Sequence, residues 1–381
     1  MTVALALAAL LCPPLYPPHC PPLYPKDARA ASGPFQQPLS LDAMIGQMLM
    51  TGFRGDGTAD TAEFRAVTQD VRAGRIGGVI LFDRDWQTKK RARNIRSTAQ
   101  LTALCAFLQK NAPIPLFIAV DQEGGRVQRL RPEHGFPATP SASELGTGTP
   151  AETRKAARAL GKRLRRIGIT LNFAPVADVA VAPEGPAIGL LGRAFSRDAE
   201  QVAAHAAAFA EGLGQAGVIG CYKHFPGHGS AAKDSHHGLT DITASWSEDE
   251  LVPYAALPRA PLMVMTGHLL HEGLDPQYPA SLSRAITSGL LRERLGWNGV
   301  VVTDDLEMDA VAQFHSLEDR IRLAVSAGAD IILFGNNLQY HPERSRRLHA
   351  ALKNLVESGR IPPERIAESW ARIRALKETM D

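Results

Sequence analysis

The sequence is short of cysteine, of charge of one sign, of long apolar runs and of flexible linkers, and each shortage removes a class of protein. Its 381 residues hold four cysteines, Cys12, Cys20, Cys105 and Cys221. They show no CxxC pair and no metal-ligand spacing, so neither a disulfide scaffold nor a zinc ribbon is indicated. Lys and Arg total 42 against 39 Asp and Glu, a net charge of +3. No basic run stands out; Arg163, Arg165 and Arg166 belong to a helix-like segment and read as a solvated face, so no nucleic-acid partner is expected. No stretch reaches the ~18 apolar residues of a spanning helix, so no membrane span is expected. No Gly/Ser linker interrupts the chain after the first forty residues or so.

What is present suits a large globular core. Apolar residues make up 45% and charged residues 21%, ordinary proportions for a soluble domain that needs no disulfides. The N-terminus is unusual. Residues 2–11 form a short apolar run, followed by CPPLYPPHCPPLYP, a proline-rich near-duplication. The run has the character of a signal-peptide core with Ala28-Arg29-Ala30 as a cleavage site, but no Lys or Arg precedes it. The other reading is an extension without fixed structure, or a misassigned start. Localisation therefore stays open between cytoplasm and export to the periplasm or medium. Residues 1–39 are set apart from a catalytic domain spanning 40–381.

From about Ser40 short apolar runs alternate with helix-like patterns, which argues for βαβ units and a parallel sheet. Eight strand candidates stand out: IGQMLMTGF (45–53), IGGVILF (76–82), LFIAVDQE (116–123), TLNFAPVADV (170–179), IGCYKHF (219–225), LMVMTGHL (262–269), GVVVTDD (299–305) and ADIILFG (329–335). Helices are expected over Ala151 to Ile167 behind Pro150, over Ser196 to Gln215 with Ser196 as cap, and over Pro363 to Thr379. Eight strands with helices between them, in one unbroken run, predict an α/β fold, a single (β/α)8 barrel. Chemistry in such a barrel sits at the C-terminal strand ends. Here those ends carry Asp121-Gln122-Glu123, Asp178, Lys223-His224, His268 and Asp304-Asp305. One polar strand end is commonly a solvated residue; five converging ends point to a pocket.

Three segments carry chemistry. KHFPGHGSAAKDSHHGL (223–239) is a polar loop hung on an apolar strand. Asp234 stands two residues before His236, a spacing at which the carboxylate can orient the imidazole and raise its basicity for proton transfer. A structural His–Asp contact, or zinc held by His224, His228, His236 and His237, are the competing readings. GVVVTDDLEMDAV (299–311) places two aspartates after a β-branched run. Side chains alternate along a strand, so one of them faces inward as a candidate nucleophile or metal ligand, and Asp305 has the character of a helix cap. AVDQEGGRVQRL (119–130) pairs Asp121, an acceptor for sugar hydroxyls, with the Arg129 fork; a plain salt bridge between them is the alternative.

Together these segments, with NFAPVADV and GRAFSRD in the same order, resemble glycoside hydrolase family three in its bacterial β-N-acetylglucosaminidase branch, over residues 40 to 375. The resemblance implies a retaining β-N-acetylhexosaminidase that removes terminal β-linked N-acetylglucosamine, with peptidoglycan fragments (muropeptides) as the carbohydrate substrate. It implies Asp304 as the nucleophile, His236 as the acid/base and Asp234 as its partner. Asp121, Arg129, Arg193, Lys223 and His224 match the positions that hold the sugar ring; His268 and Asp275 lie in similar segments. Members of other specificities take their acid from a second domain, so here it is expected on a barrel loop. The chain departs from the usual pattern at Ser230-Ala231-Ala232 and at Thr240. No cofactor, no metal and a monomer are expected.

The mechanism these residues suggest is double displacement: attack by Asp304 while His236 protonates the leaving oxygen, then hydrolysis with His236 as base. A histidine acid also tolerates an anion, which leaves a phosphorylase as the same-fold alternative. A zinc amidohydrolase is the rival from another class, though MLMTGF lacks the HxH such enzymes place on the first strand. A sugar-binding barrel without catalysis is the third reading.

Overall fold

In the computed structural model, residues 39–232 and 238–380 are described. The eight expected strands are all present, each shorter than its apolar run. They are β1 Leu49–Thr51, β2 Gly78–Leu81, β3 Phe117–Val120, β4 Leu171–Asn172, β5 Gly220–Phe225, β6 Leu262–Thr266, β7 Val301–Thr303 and β8 Ile332–Phe334. Every residue in them is buried. This is why they read as continuous apolar runs: a parallel strand covered on both faces has no polar side to alternate with. Helices separate them, so the fold is α/β with a parallel sheet.

Regular pairing joins the eight strands in two parallel sheets, beside a separate two-stranded parallel pair, Thr240–Asp241 with Leu269–Leu270. One runs β8-β1-β2-β3-β4 and the other β5-β6-β7. The register is set by pairs such as Met50↔Leu333, Ile80↔Ala119 and Val264↔Val301. At both junctions the ladder is reduced to isolated parallel bridges, Leu171↔Ile219 and Val176↔Lys223 on one side and Val302↔Ile331 on the other. The sheet is therefore not closed by regular pairing, which is as far as the expected barrel is met here. Local chemistry explains each break. Pro175 follows β4 and has no N–H to continue a ladder. Between β7 and β8 a side chain replaces a carbonyl: the Leu333 amide donates to Thr303 Oγ1 at 3.1 Å.

Two expected boundaries need correcting. The run 45–53 is strand only from Leu49; Ile45 belongs to the helix Leu41–Gln47, capped by the Ser40 side chain. Ser196 does not cap the following helix. That helix is Ala199–Gly214, and Asp198 caps it by accepting from the Gln201 amide, while Ser196 Oγ accepts from Asp198 N. The other two helices are Pro150–Ile167, with a Thr149/Glu152 capping box, and Pro363–Lys377. Pro150–Ile167 buries Ala157, Leu160, Leu164 and Ile167 on one face, the spacing of an amphipathic helix. It packs against Ala199–Gly214, and Gly212 permits the approach, since a Cβ there would lie 2.5 Å from Arg154 O.

The last helix seals the N-terminal end of the sheet. Lys377 is buried and gives its ammonium to Gln47 Oε1, Gly77 O and Pro115 O at 2.6, 3.0 and 2.6 Å. Asp330, just before β8, is met by Arg292 and Arg372 at 2.6 and 3.1 Å and by Arg365 at 3.4 Å. Among the described residues no helix is long and apolar enough to cross a membrane.

Candidate active site

Because the strands are parallel, residues that follow them emerge at one end of the sheet. Asp121 and Glu123 follow β3, Asp178 comes after β4, Lys223 and His224 belong to β5, and Asp304 follows β7. The side chains of β3, β4 and β5 form one chain of charges. Lys223 Nζ lies 3.0 Å from Asp121 Oδ1 and 2.7 Å from Glu123 Oε1. Arg193 grips Glu123 with two parallel bonds, Nε to Oε2 and Nη2 to Oε1, both 2.8 Å. Arg129 Nη2 sits 3.4 Å from Asp121 Oδ2, a loose contact. Thus three cations, Arg129, Arg193 and Lys223, interleave with Asp121 and Glu123, and the salt bridge between Asp121 and Arg129, the alternative reading of that pair, is one loose link in a larger network.

His224 joins this network to Asp178. Its Nδ1 lies 2.7 Å from Asp178 Oδ2, and Arg193 Nη2 lies 3.3 Å from its Nε2. A carboxylate accepts and a guanidinium donates, so Nδ1 carries the proton and Nε2 is the acceptor. Asp178, with no exposed surface, also accepts from the backbone amides of His224 and His228 at 3.0 and 2.8 Å.

Electrostatics keeps these groups charged although they are buried. Burial alone would raise the Asp121 and Glu123 carboxyls, but Lys223 with Arg129 or Arg193 beside them holds both below the usual carboxylate range. Burial would lower Lys223, yet Asp121 and Glu123 hold it above an ordinary lysine. Asp178 is likewise held low by His224 against its burial. The result is a set of largely buried, fixed donors and acceptors, with Asp121 and Arg129 at its solvent edge, the kind of low-dielectric setting in which hydrogen bonds strengthen.

The two aspartates after β7 divide their roles. Asp305 is committed to the fold: its Oδ1 accepts from the Gly335 and Glu307 amides, each at 2.9 Å, and a Cβ at Gly335 would come within 2.3 Å of its Oδ2. It therefore staples β7 to β8 and is not a helix cap. Asp304 is half-buried; its amide donates to Thr266 O at 2.9 Å, and its Oδ1 accepts from the Asp305 amide at 2.7 Å. His268 is enclosed between Ser281 Oγ at 2.7 Å and Asp305 O at 2.9 Å. Asp275 caps its own turn, accepting from Gln277 N and Tyr278 N.

Asp234 and His236 lie outside the described residues, but the stem of their loop is described. Two acidic side chains hold it: Asp178 through His228 N, and Glu250 through Gly229 N at 2.9 Å. Gly227 has φ 131°, and a Cβ there would meet Glu250 Cβ at 2.6 Å. Burial pushes the Glu250 carboxyl up to about 8, and that of Glu307 likewise to about 8. The sequence marks Glu123 and Asp178 only as polar strand ends and gives no sign of Glu250, which is a partner 21 residues away from Gly229. Among the described residues, no group of three or more His, Cys, Asp or Glu is placed to hold a metal ion.

Residues 40–376 match the family model of the glycosyl hydrolase family 3 N terminal domain. The chain belongs to glycosyl hydrolase family 3. It is 34% identical over 380 residues to beta-hexosaminidase A of Pseudoalteromonas piscicida, covering 90% of this chain and 62% of that protein. It is 37% identical over 351 residues to beta-hexosaminidase LpqI of Mycobacterium tuberculosis, covering 87% and 81% of the two. Among solved structures, a family 3 β-N-acetylglucosaminidase from Paenibacillus superposes with a TM-score of 0.81 at 37% identity, over 90% of this chain and 63% of that one. A β-N-acetylhexosaminidase from Beutenbergia cavernae gives 0.77 at 31% identity, over 90% and 99%. This family 3 chain thus spans less than two thirds of the Pseudoalteromonas and Paenibacillus proteins and nearly all of the Beutenbergia one.

Proposed function

We propose that the protein is a retaining β-N-acetylhexosaminidase that releases terminal β-linked N-acetylglucosamine. The observation that carries this reading is the charge chain at the C-terminal strand ends, which brings Asp121, Arg129, Arg193, Lys223 and His224 into one network on the face where Asp304 emerges. Relatives named beta-hexosaminidase and β-N-acetylglucosaminidase support it. In this reading Asp121, Arg129, Arg193, Lys223 and His224 hold the sugar ring. Asp304 attacks the anomeric carbon and forms a glycosyl-enzyme. His236, oriented by Asp234, protonates the departing oxygen and then takes a proton from water, so the β configuration is retained.

The same proposal closes the eight strands as a (β/α)8 barrel, supported by the parallel bridges at both junctions, with residues 40–381 as one catalytic domain acting as a monomer. Muropeptide fragments are the proposed natural substrates. The direct test is hydrolysis of an aryl β-N-acetylglucosaminide beside the aryl β-glucoside in the presence of a chelator. Cleavage of the first and not the second supports the reading. Loss of activity in chelator, restored by zinc, overturns it.

A further inference from the structure

The loop after β2 carries a basic surface with an exposed tryptophan, at the same end of the sheet as the site. Arg84 and Arg91 are bridged antiparallel, so residues 84–91 form a small hairpin. Its exposed side chains include four cations, Arg84, Lys89, Lys90 and Arg91, and Trp86, which is 51% exposed. Arg91 pairs with Glu133 at 3.0 Å. The hairpin's own acids do not balance the other three outwardly. Asp83 and Asp85 are buried and turned inward, Asp83 to Arg131 at 2.7 Å, Asp85 to Arg54 and Arg93 at 2.7 and 2.9 Å. Around Trp86 the hairpin therefore presents positive charge.

It is also tied to a neighbouring loop and close to the site. Trp86 N donates to Asn337 Oδ1 at 3.0 Å, and Asn337 Nδ2 donates to Arg84 O at 3.2 Å, tying the hairpin to the loop after β8. Lys89 Nζ lies 3.9 Å above the Trp86 ring, and about half of the Trp86 side chain stays exposed. At the hairpin base, Phe82 packs 5.8 Å from the Arg129 guanidinium, and a Cβ at Gly335, beside Asp305, would meet its ring at 3.4 Å. The hairpin thus rises from the wall of the proposed sugar pocket.

An indole half open to water offers a large, rigid apolar face to a ligand. The apolar face of a pyranose packs on an indole, and lysine and arginine heads around it select a negative substituent on that ring. We propose that the hairpin 84–91 is an acceptor-side subsite for an anionic, carboxylate-bearing aglycone, with Trp86 as the stacking platform and Arg84, Lys89 and Lys90 as the charge-selecting groups. This rests on the hydrolase reading above and adds the surface and the residues that select the leaving group.

The experiment compares a disaccharide of β-linked N-acetylglucosamine on glucuronic acid with its glucuronate methyl ester, which differs only in charge. Each protein is read by its own acid-to-ester ratio of kcat/KM, so a general change in activity cancels. The native protein should favour the acid by about three- to tenfold, carried in KM, since exposed ion pairs are individually weak. The preference should shrink in high salt. Lys89→Glu with Lys90→Glu should abolish or invert it, while Trp86→Ala should raise KM for acid and ester alike. A native ratio of one, or a ratio unmoved by the double charge reversal, overturns the proposal. Should neither compound be turned over, cleavage of the aryl β-N-acetylglucosaminide decides the hydrolase reading by itself. Calorimetric binding of acid against ester, with the same expected ratio, then still decides the hairpin.

Discussion

The two ends of the parallel sheet both bury charge, and they use it differently. At the N-terminal end Asp330 is surrounded by Arg292, Arg365 and Arg372 and also accepts from Val301 N and Ser369 Oγ. It has no exposed surface, and its arginines come from helices. At the C-terminal end Asp121, Glu123, Lys223 and Arg193 hold one another through single and paired bonds, and Asp121 with Arg129 keeps some access to solvent. One acid saturated by three cations and two protein donors is a fastener. Alternating charges with a partly open edge suit the proposed binding surface. The comparison teaches that burial and charge alone do not distinguish a site; what does is whether the last donors and acceptors are spent on the protein.

The largest effect should come from the open end. Asp304→Ala should lower turnover of an aryl β-N-acetylglucosaminide by roughly 10³-fold or more while the thermal midpoint hardly moves, because it deletes the covalent step and no packing. A fatal Asp305→Ala beside a mild Asp304→Ala would reverse the division of roles drawn above. Next, His236→Ala should slow disaccharide cleavage by about 10²- to 10⁴-fold and an activated aryl glycoside far less, since an aryl oxide departs without a proton. Equal losses on both substrates would make His236 structural.

The closed end should respond in the opposite sense. Asp330→Ala leaves three partly buried arginines without their buried acid, and should cost about 3 kcal/mol of stability with kcat/KM of the remaining folded protein unaltered. Chemical denaturation and active-site titration separate the two. If turnover fell while stability held, the two ends would not differ in kind.

Glu250 offers a test by pH. Its carboxyl is raised from an ordinary 4.5 to about 8 by burial. The folded state therefore binds a proton more tightly than the unfolded state, and the stability this contributes is whole below about 4.5 and is lost as pH rises to about 8. The slope reaches at most ~1.4 kcal/mol per pH unit. Glu250→Gln mimics the protonated acid and keeps an acceptor for Gly229 N, so it should flatten this decline. Parallel stability curves for variant and native protein between these limits would refute the assignment. The smallest effect concerns a helix start: Asp198→Ala should cost about 1 kcal/mol and Ser196→Ala less, since only Asp198 accepts from the first helical turn.

Much of the fold is legible in the amino-acid sequence. Eight strands buried on both faces have little but apolar residues to show, so each stands out as a run. Their ends are less clear, because Ile45 and Met48 are apolar for the sake of a helix and its cap, not a strand. The residues proposed to bind the sugar are legible as a family pattern, yet the reason they stay charged is not. Glu123 is the grip on both Arg193 and Lys223, and Asp178 sets the His224 tautomer, but Glu123 and Arg193 stand 70 residues apart in the chain, and Asp178 and His224 46. Glu250 is invisible in the sequence because its environment, not its neighbours along the chain, makes it unusual. The hairpin at 84–91 carries no signal of its own, because only the fold shows that Asp83 and Asp85 turn inward and leave the cations outside.

The central claim is that the open end of the sheet forms a covalent glycosyl-enzyme on Asp304. It is tested most directly by quenching His236→Ala during turnover of an activated aryl β-N-acetylglucosaminide and mapping the protein by peptide mass. Loss of the base slows the second step, so one N-acetylglucosaminyl unit should accumulate on the peptide carrying Asp304. No adduct at any time, or an adduct on Asp305, would contradict the account.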